Sequence, residues 1–330
     1  MMIYDGSTVR IAWRLLFAVR VILLFPLVFG DLCRTVRSRP AHHESRAIRW
    51  LNDLNSSTHG KGQDLLGRTL LALRGFRTIS LKKDQEQIPE FPAASKEVDR
   101  CVAELRETGL TIIDDLYSRE EAGKALFAGF KIGGRDDFGR RYDSVASWLE
   151  EQNSPRLFGS FYDENFLVKT LSSEGLVPRV VSRYLGCRPL IVSMNLWLTK
   201  AGAYLGPEDA GMNFHCDADY ISFIKMFVIL TDTPPNGGGT EFISGSHNGR
   251  RHVLGRISST DATAIGSVIQ ASGPPGRVYL CDTRGWHRAG PPRDFPRGVL
   301  EIVFAADLFG KRPNAPFPLA LNHVSSGAER

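Results

Sequence analysis

The sequence predicts a mainly β domain in which helices buttress an antiparallel barrel or sandwich. Three observations carry this. Capped, helically periodic segments concentrate between Ser95 and Gly186; short β-branched and aromatic runs replace them from Leu190 onward; and Pro/Gly clusters punctuate those runs. Composition suits a folded chain. Of 330 residues, 42% are hydrophobic and 23% charged, which excludes a disordered polyelectrolyte. The 41 Lys and Arg against 36 Asp and Glu leave a net charge of +5, a solvated surface with no basic stripe interleaved with aromatics, so no nucleic-acid partner is expected. The five cysteines are odd in number and lack paired spacing, which argues against a disulfide-stapled secreted fold and for a reducing, cytoplasmic setting.

Residues 11–30 are long enough to span a bilayer, but Arg14 and Arg20 interrupt them and Pro26 breaks their second half. Arg10, Arg14 and Arg20 share one broad face. Residues 8–30 therefore read as an interfacial helix making peripheral membrane contact, with packing onto the protein itself as the competing reading. Leu65, Leu66, Leu70, Leu71 and Leu73 suggest a short amphipathic helix, and Ile88–Pro92 a linker. This divides the chain into an N-terminal extension over 1–94, a folded domain over 95–320 and a tail over 321–330. Within the domain, Ser95 caps a helix with apolar spacing Val98, Cys101, Val102, Leu105 and a stop at Gly109. Leu110–Asp115 reads as a strand. Ser118 and Glu121 form a capping box for a helix to about Phe130. Residues 131–172 show no clear period. A further helix lies in 173–186, with Pro178 near its start and Gly186 as its stop. Strands follow at 190–199, 220–230, 240–243, 277–281 and 298–305.

The chemistry-bearing residues lie in the β-rich half. Period-two alternation puts His215 and Asp217 on one side of an extended segment, and a distant strand can bring His287 to them. Two imidazoles and one carboxylate on one face of an octahedron leave three positions open, as a non-haem Fe(II) oxygenase requires. Arg297, just before the apolar run from Gly298, offers a planar two-pronged donor to a carboxylate. Lys225 alternates with Phe223 and Phe227, and an inward lysine in a barrel needs an anion. Asn195, Trp197 and Thr199 share the strand before the triad, where they can line the same cavity. Cys216 should point away from the metal if its neighbours point toward it.

These residues, with the segment Gly238–His247 and the opening Gly109–Leu126, resemble the phytanoyl-CoA dioxygenase family of Fe(II)/2-oxoglutarate oxygenases over roughly residues 95–310. The resemblance implies a double-stranded β-helix, a jelly-roll or cupin-like barrel. It implies His215, Asp217 and His287 as catalytic metal ligands, Fe(II) as the metal, and 2-oxoglutarate as cosubstrate, with its distal carboxylate gripped by Arg297 and Phe227 packed beside it. The implied reaction hydroxylates a small-molecule or lipid-like substrate and releases succinate and carbon dioxide. One departure stands out. The family often carries Ser or Thr two residues after the distal histidine, and this chain has Ala289. Arg297 then needs another helper, for which Lys225 is the candidate. The missing hydroxyl also motivates the alternative of a catalytically inactive cupin-like binding protein. A zinc hydrolase fits less well, since no activated base accompanies the three ligands.

Overall fold

A computed structural model of the chain describes residues 53–69 except 57, and residues 96–306 except 161–165, 167–169, 171–174, 188, 203–212, 236, 250–254, 291 and 293. The expected membrane-facing segment at 8–30 and the tail at 321–330 lie outside the described residues. No helix among the described residues is long and apolar enough to cross a membrane.

Two antiparallel sheets face each other. The larger runs in the order β1-β9-β6-β11-β5-β4-β2-β3 and the smaller β10-β7-β8. The strands are β1 (Leu110–Ile113), β2 (Gly134–Asp136), β3 (Arg141–Tyr142), β4 (Arg156–Gly159), β5 (Leu190–Thr199), β6 (Phe223–Ile229), β7 (Thr240–Ile243), β8 (Val268–Ala271), β9 (Val278–Cys281), β10 (His287–Ala289) and β11 (Arg297–Ala305). This is the double-stranded β-helix that the motifs imply, with its two sheets not joined into a closed barrel among the described residues. All nine residues of β11 are buried, as its central place between β5 and β6 demands.

Alternation along these strands sorts the side chains into two compartments. Ile224, Met226, Val228, Val278, Leu280, Leu300, Ile302 and Phe304 point out of the barrel, against helices. The covering helices are α1 (Lys96–Glu107), α2 (Arg119–Phe130), α3 (Val145–Glu150) and α4 (Leu176–Leu185). Helix α1 buries Val98, Cys101, Val102 and Leu105, the stripe its spacing predicts. The Ser118–Glu121 capping box opens α2, and Gly186 in the left-handed region stops α4. A fifth helix, α5 (Ser259–Ile265), lies beside β7.

The opposite faces point into the barrel. Phe227, Ile229, Tyr279, Val299, Phe242 and Ala271 form its apolar floor, with Phe227 stacked on Tyr279 at 4.9 Å. Register places Lys225, Glu301, Asn195, Arg297 and Thr199 on this inner face too, because each pairs in steps of two with those floor residues or with one another.

Candidate metal and cosubstrate centre

His215 and His287 lie on neighbouring extended segments beside the smaller sheet. Each backbone N–H donates to the other residue's carbonyl, both at 2.9 Å, so the pair forms a short antiparallel bridge. In such a pair the two side chains leave the same face, and the rings sit 4.3 Å apart between centroids. Asp217, two residues on, shares that face and is held by its own N–H, which donates to the Thr283 carbonyl at 2.8 Å. The three side chains present ligand atoms all within 4.8 Å of one another. Asp217 Oδ1 lies 3.7 Å from His215 Nε2, and Oδ2 lies 3.4 Å from His287 Nε2. Cys216 between them turns away into the cluster of Phe214, Ile243, Ala262 and Trp286.

The donor set fits a metal ion. Both Nδ1 atoms sit against backbone carbonyls, His215 against Asn213 at 2.7 Å and His287 against Gly285 at 3.0 Å. That contact fixes the proton on Nδ1 and leaves the Nε2 lone pair for a metal. Burial, then the neighbouring His287, pushes the His215 pKa down to about 4, so its imidazole is neutral at ordinary pH.

A cation and two more acids surround Asp217. Lys225 Nζ is 2.8 Å from Asp217 Oδ2, 3.1 Å from Asp219 Oδ2 and 3.5 Å from Glu301 Oε2. Burial opposes charge on Asp217, but Lys225 and the two imidazoles outweigh it and hold the carboxyl well below its usual range. Burial likewise opposes the ammonium of Lys225, and Asp217, Glu301 and Asp219 outweigh it in the other direction. Glu301 also accepts from Asn195 Nδ2 at 2.8 Å. Lys225, expected as a second grip on the cosubstrate, is therefore matched by protein carboxylates. Glu301 was not singled out in the sequence, although a lone acid within the apolar run Gly298–Phe304 is a legible signal of a buried partner.

Arg297 stands at the other end of the cavity. It is buried, with Nη1 donating to the carbonyl of Gly238 and, at 3.5 Å, to that of Gly290. Its Nε has no hydrogen-bond partner among the described residues, and no carboxylate there pairs with it. Burial pulls its pKa below the usual arginine value. A desolvated guanidinium facing an apolar floor without an acid is a seat for an anion.

A second buried ionic group braces the ligand loop from behind. Arg284 donates to Asp282 at 2.8 Å from Nε and 2.5 Å from Nη2, and to Asp64 at 3.2 Å; Tyr184 donates to Asp282 at 2.6 Å. Asp64 belongs to the helical residues 61–69, and the adjacent Gln63 donates to the carbonyls of Tyr220 and Ile221 at 2.7 and 3.0 Å. The short helix foreseen around Leu65 thus packs against both segments that flank the metal ligands. His247 is buried beside Phe242 and Asn248.

The family model described as phytanoyl-CoA dioxygenase (PhyH) matches residues 100–294. No curated protein sequence matches the chain. Among solved structures it is similar to the non-heme alpha ketoglutarate dependent carbocyclase SnoK from nogalamycin biosynthesis, at 18% identity and a TM-score of 0.46, over 64% of this chain and 84% of that one. It is also similar to EctD from S. alaskensis with 2-oxoglutarate and 5-hydroxyectoine, at 19% identity and a TM-score of 0.44, over 67% and 79% of the two chains. A third is the epimerase SnoN in complex with Fe3+, alpha ketoglutarate and nogalamycin RO, at 15% identity and a TM-score of 0.46, over 67% and 93%.

Proposed function

Since this chain belongs to the phytanoyl-CoA dioxygenase family of Fe(II)/2-oxoglutarate-dependent oxygenases, we propose that it hydroxylates a small molecule, with His215, Asp217 and His287 holding the iron and Arg297 the cosubstrate. The observation that carries this reading is the convergence of two Nε2 atoms and one carboxylate on a single face. Iron bound there, with 2-oxoglutarate, supplies oxidation by dioxygen coupled to release of succinate and carbon dioxide.

The chain's own residues supply orientation and charge. The Asn213 and Gly285 carbonyls orient the imidazoles. Lys225 keeps Asp217 ionised, so a carboxylate is ready without the loss of a proton. Arg297 fixes the far end of the cosubstrate, and the Phe227–Tyr279 stack gives its methylene chain a dry wall. A carboxylate at position 217 leaves no vacancy for a halide, which favours hydroxylation as the outcome. The reading with lost catalysis rests on Ala289 alone.

Anaerobic protein supplied with Fe(II), 2-oxoglutarate and candidate substrates should, on admission of oxygen, release succinate in step with a product heavier by one oxygen atom. Asp217→Ala should abolish both. Arg297→Leu should raise the 2-oxoglutarate requirement by about two orders of magnitude, the cost of leaving a charged pair unmade. Protein that binds Fe(II) and 2-oxoglutarate but releases no succinate with any substrate would support the binding-protein alternative.

A further inference from the structure

Thr199 ends β5 as the cross-strand register partner of Arg297 on β11. Directly paired residues on adjacent strands point to the same face, and both side chains here are buried. The Thr199 hydroxyl has no hydrogen-bond partner among the described residues, and neither has Arg297 Nε. Two unmatched polar groups, side by side and out of water, each carry a desolvation cost that a ligand can relieve. The position where the family often offers a hydroxyl, Ala289, is filled by a methyl group whose register partner on β7 is Thr240. Thr240 is already engaged, since its Oγ1 lies 2.6 Å from the Tyr279 hydroxyl. Lys225 is engaged by three carboxylates. Among the described residues, Thr199 offers an unpartnered hydroxyl beside Arg297.

We propose that Thr199 replaces the hydroxyl absent at Ala289: its O–H donates to the distal carboxylate of 2-oxoglutarate while Arg297 donates to the same group. This rests on the oxygenase reading above and adds a cosubstrate-recognition residue on the strand opposite the usual one. The hydroxyl serves recognition of the carboxylate and has no part in bond making.

The test is equilibrium binding, by calorimetry, to full-length protein loaded anaerobically with Fe(II). The probes are 2-oxoglutarate and 2-oxopentanoate, whose terminal methyl stands where the distal carboxylate was. Thr199→Val keeps the shape and removes the hydroxyl; it should weaken 2-oxoglutarate about tenfold, the worth of a hydrogen bond to a charged group, and leave 2-oxopentanoate unchanged. Thr199→Ser should bind as the parent does. Adding Ala289→Ser to Thr199→Val should recover most of the loss, which also shows that the variant is folded. Equal 2-oxoglutarate affinity in Thr199→Val and the parent would overturn the role of Thr199 and leave the oxygenase reading standing. Equal weakening of both probes would overturn it as well, since packing alone would then explain the loss. A parent protein that binds Fe(II) but neither probe would overturn the oxygenase reading together with this one.

Discussion

Three carboxylates converge on the Lys225 ammonium, and that imbalance sets a prediction. Lys225→Met leaves buried acids without their cation, a change that costs about 3–5 kcal/mol in comparable sites. The metal-free variant should therefore lose about 3 kcal/mol in denaturant melts. Added Mn(II) should stabilise it more than it stabilises the parent, because the metal restores a positive charge beside Asp217. A metal-free variant that melts like the parent would show that Lys225 does not balance these acids. Asp217→Ala should abolish metal binding, followed by calorimetry, whereas Asp219→Ala, which removes only an outer partner of Lys225, should leave it nearly intact. At this scale much was legible. The His-x-Asp spacing and the distal His287 pointed to the three side chains that the fold brings together. That Glu301 has a buried partner was legible, but that the partner is Lys225 was not, since the two meet only through the β6–β11 register.

Helical residues 61–69, the β9–β10 loop and α4 meet in the Asp282–Arg284 group, so secondary structure, not chemistry, carries the next prediction. Burial opposes charge on Asp282, yet Arg284 and the Tyr184 hydroxyl pull its pKa from 3.8 to about 2. A depressed carboxyl stabilises the fold above its unfolded value, and that contribution is lost as pH falls through the folded one. Between pH 3.8 and 2 the parent should lose about 2 kcal/mol from this group. Asp282→Asn should show a flatter acid limb and, at neutral pH, a loss of about 3 kcal/mol because Arg284 stays buried without its acid. Urea melts at several pH values would check both. Replacing the α2 cap by Ser118→Ala should cost only about 1 kcal/mol, read the same way. Elements long enough to display a period were readable: α1, α2, α4, β5, β6 and β11 fall within a few residues of their expected spans. Strands β2, β3, β4, β8 and β10 and helices α3 and α5 were missed. The six- and seven-residue helices hold less than two helical turns and these strands at most two alternations, so pairing partners decide them; the equally short β1, β7 and β9 were readable because turn residues and apolar runs bound them.

Across the chain as a whole, the helical residues 61–69 reach the β-rich part. The part at 61–69 braces the ligand-bearing loops; the leucine spacing announced a helix there, but its partners are revealed only by buried Gln63 and half-buried Asp64. Deleting residues 1–69 should therefore lower stability and metal affinity together, while deleting residues 1–30 should spare both. If residues 8–30 lie on anionic membranes, the full chain should sediment with phosphatidylserine vesicles at low salt and leave them at high salt, and the shorter deletion should not bind. Pelleting that survives alkaline carbonate would instead mean a spanning helix. The backbone bridge between His215 and His287 bears on supply. Peptide hydrogen bonds between the two segments set the spacing of the two histidines on the backbone. Such a preset pair should also accept zinc or copper, which bind nitrogen ligands more tightly than iron does. Metal analysis of protein grown in zinc-rich and iron-rich media should therefore find the bound ion following the supply.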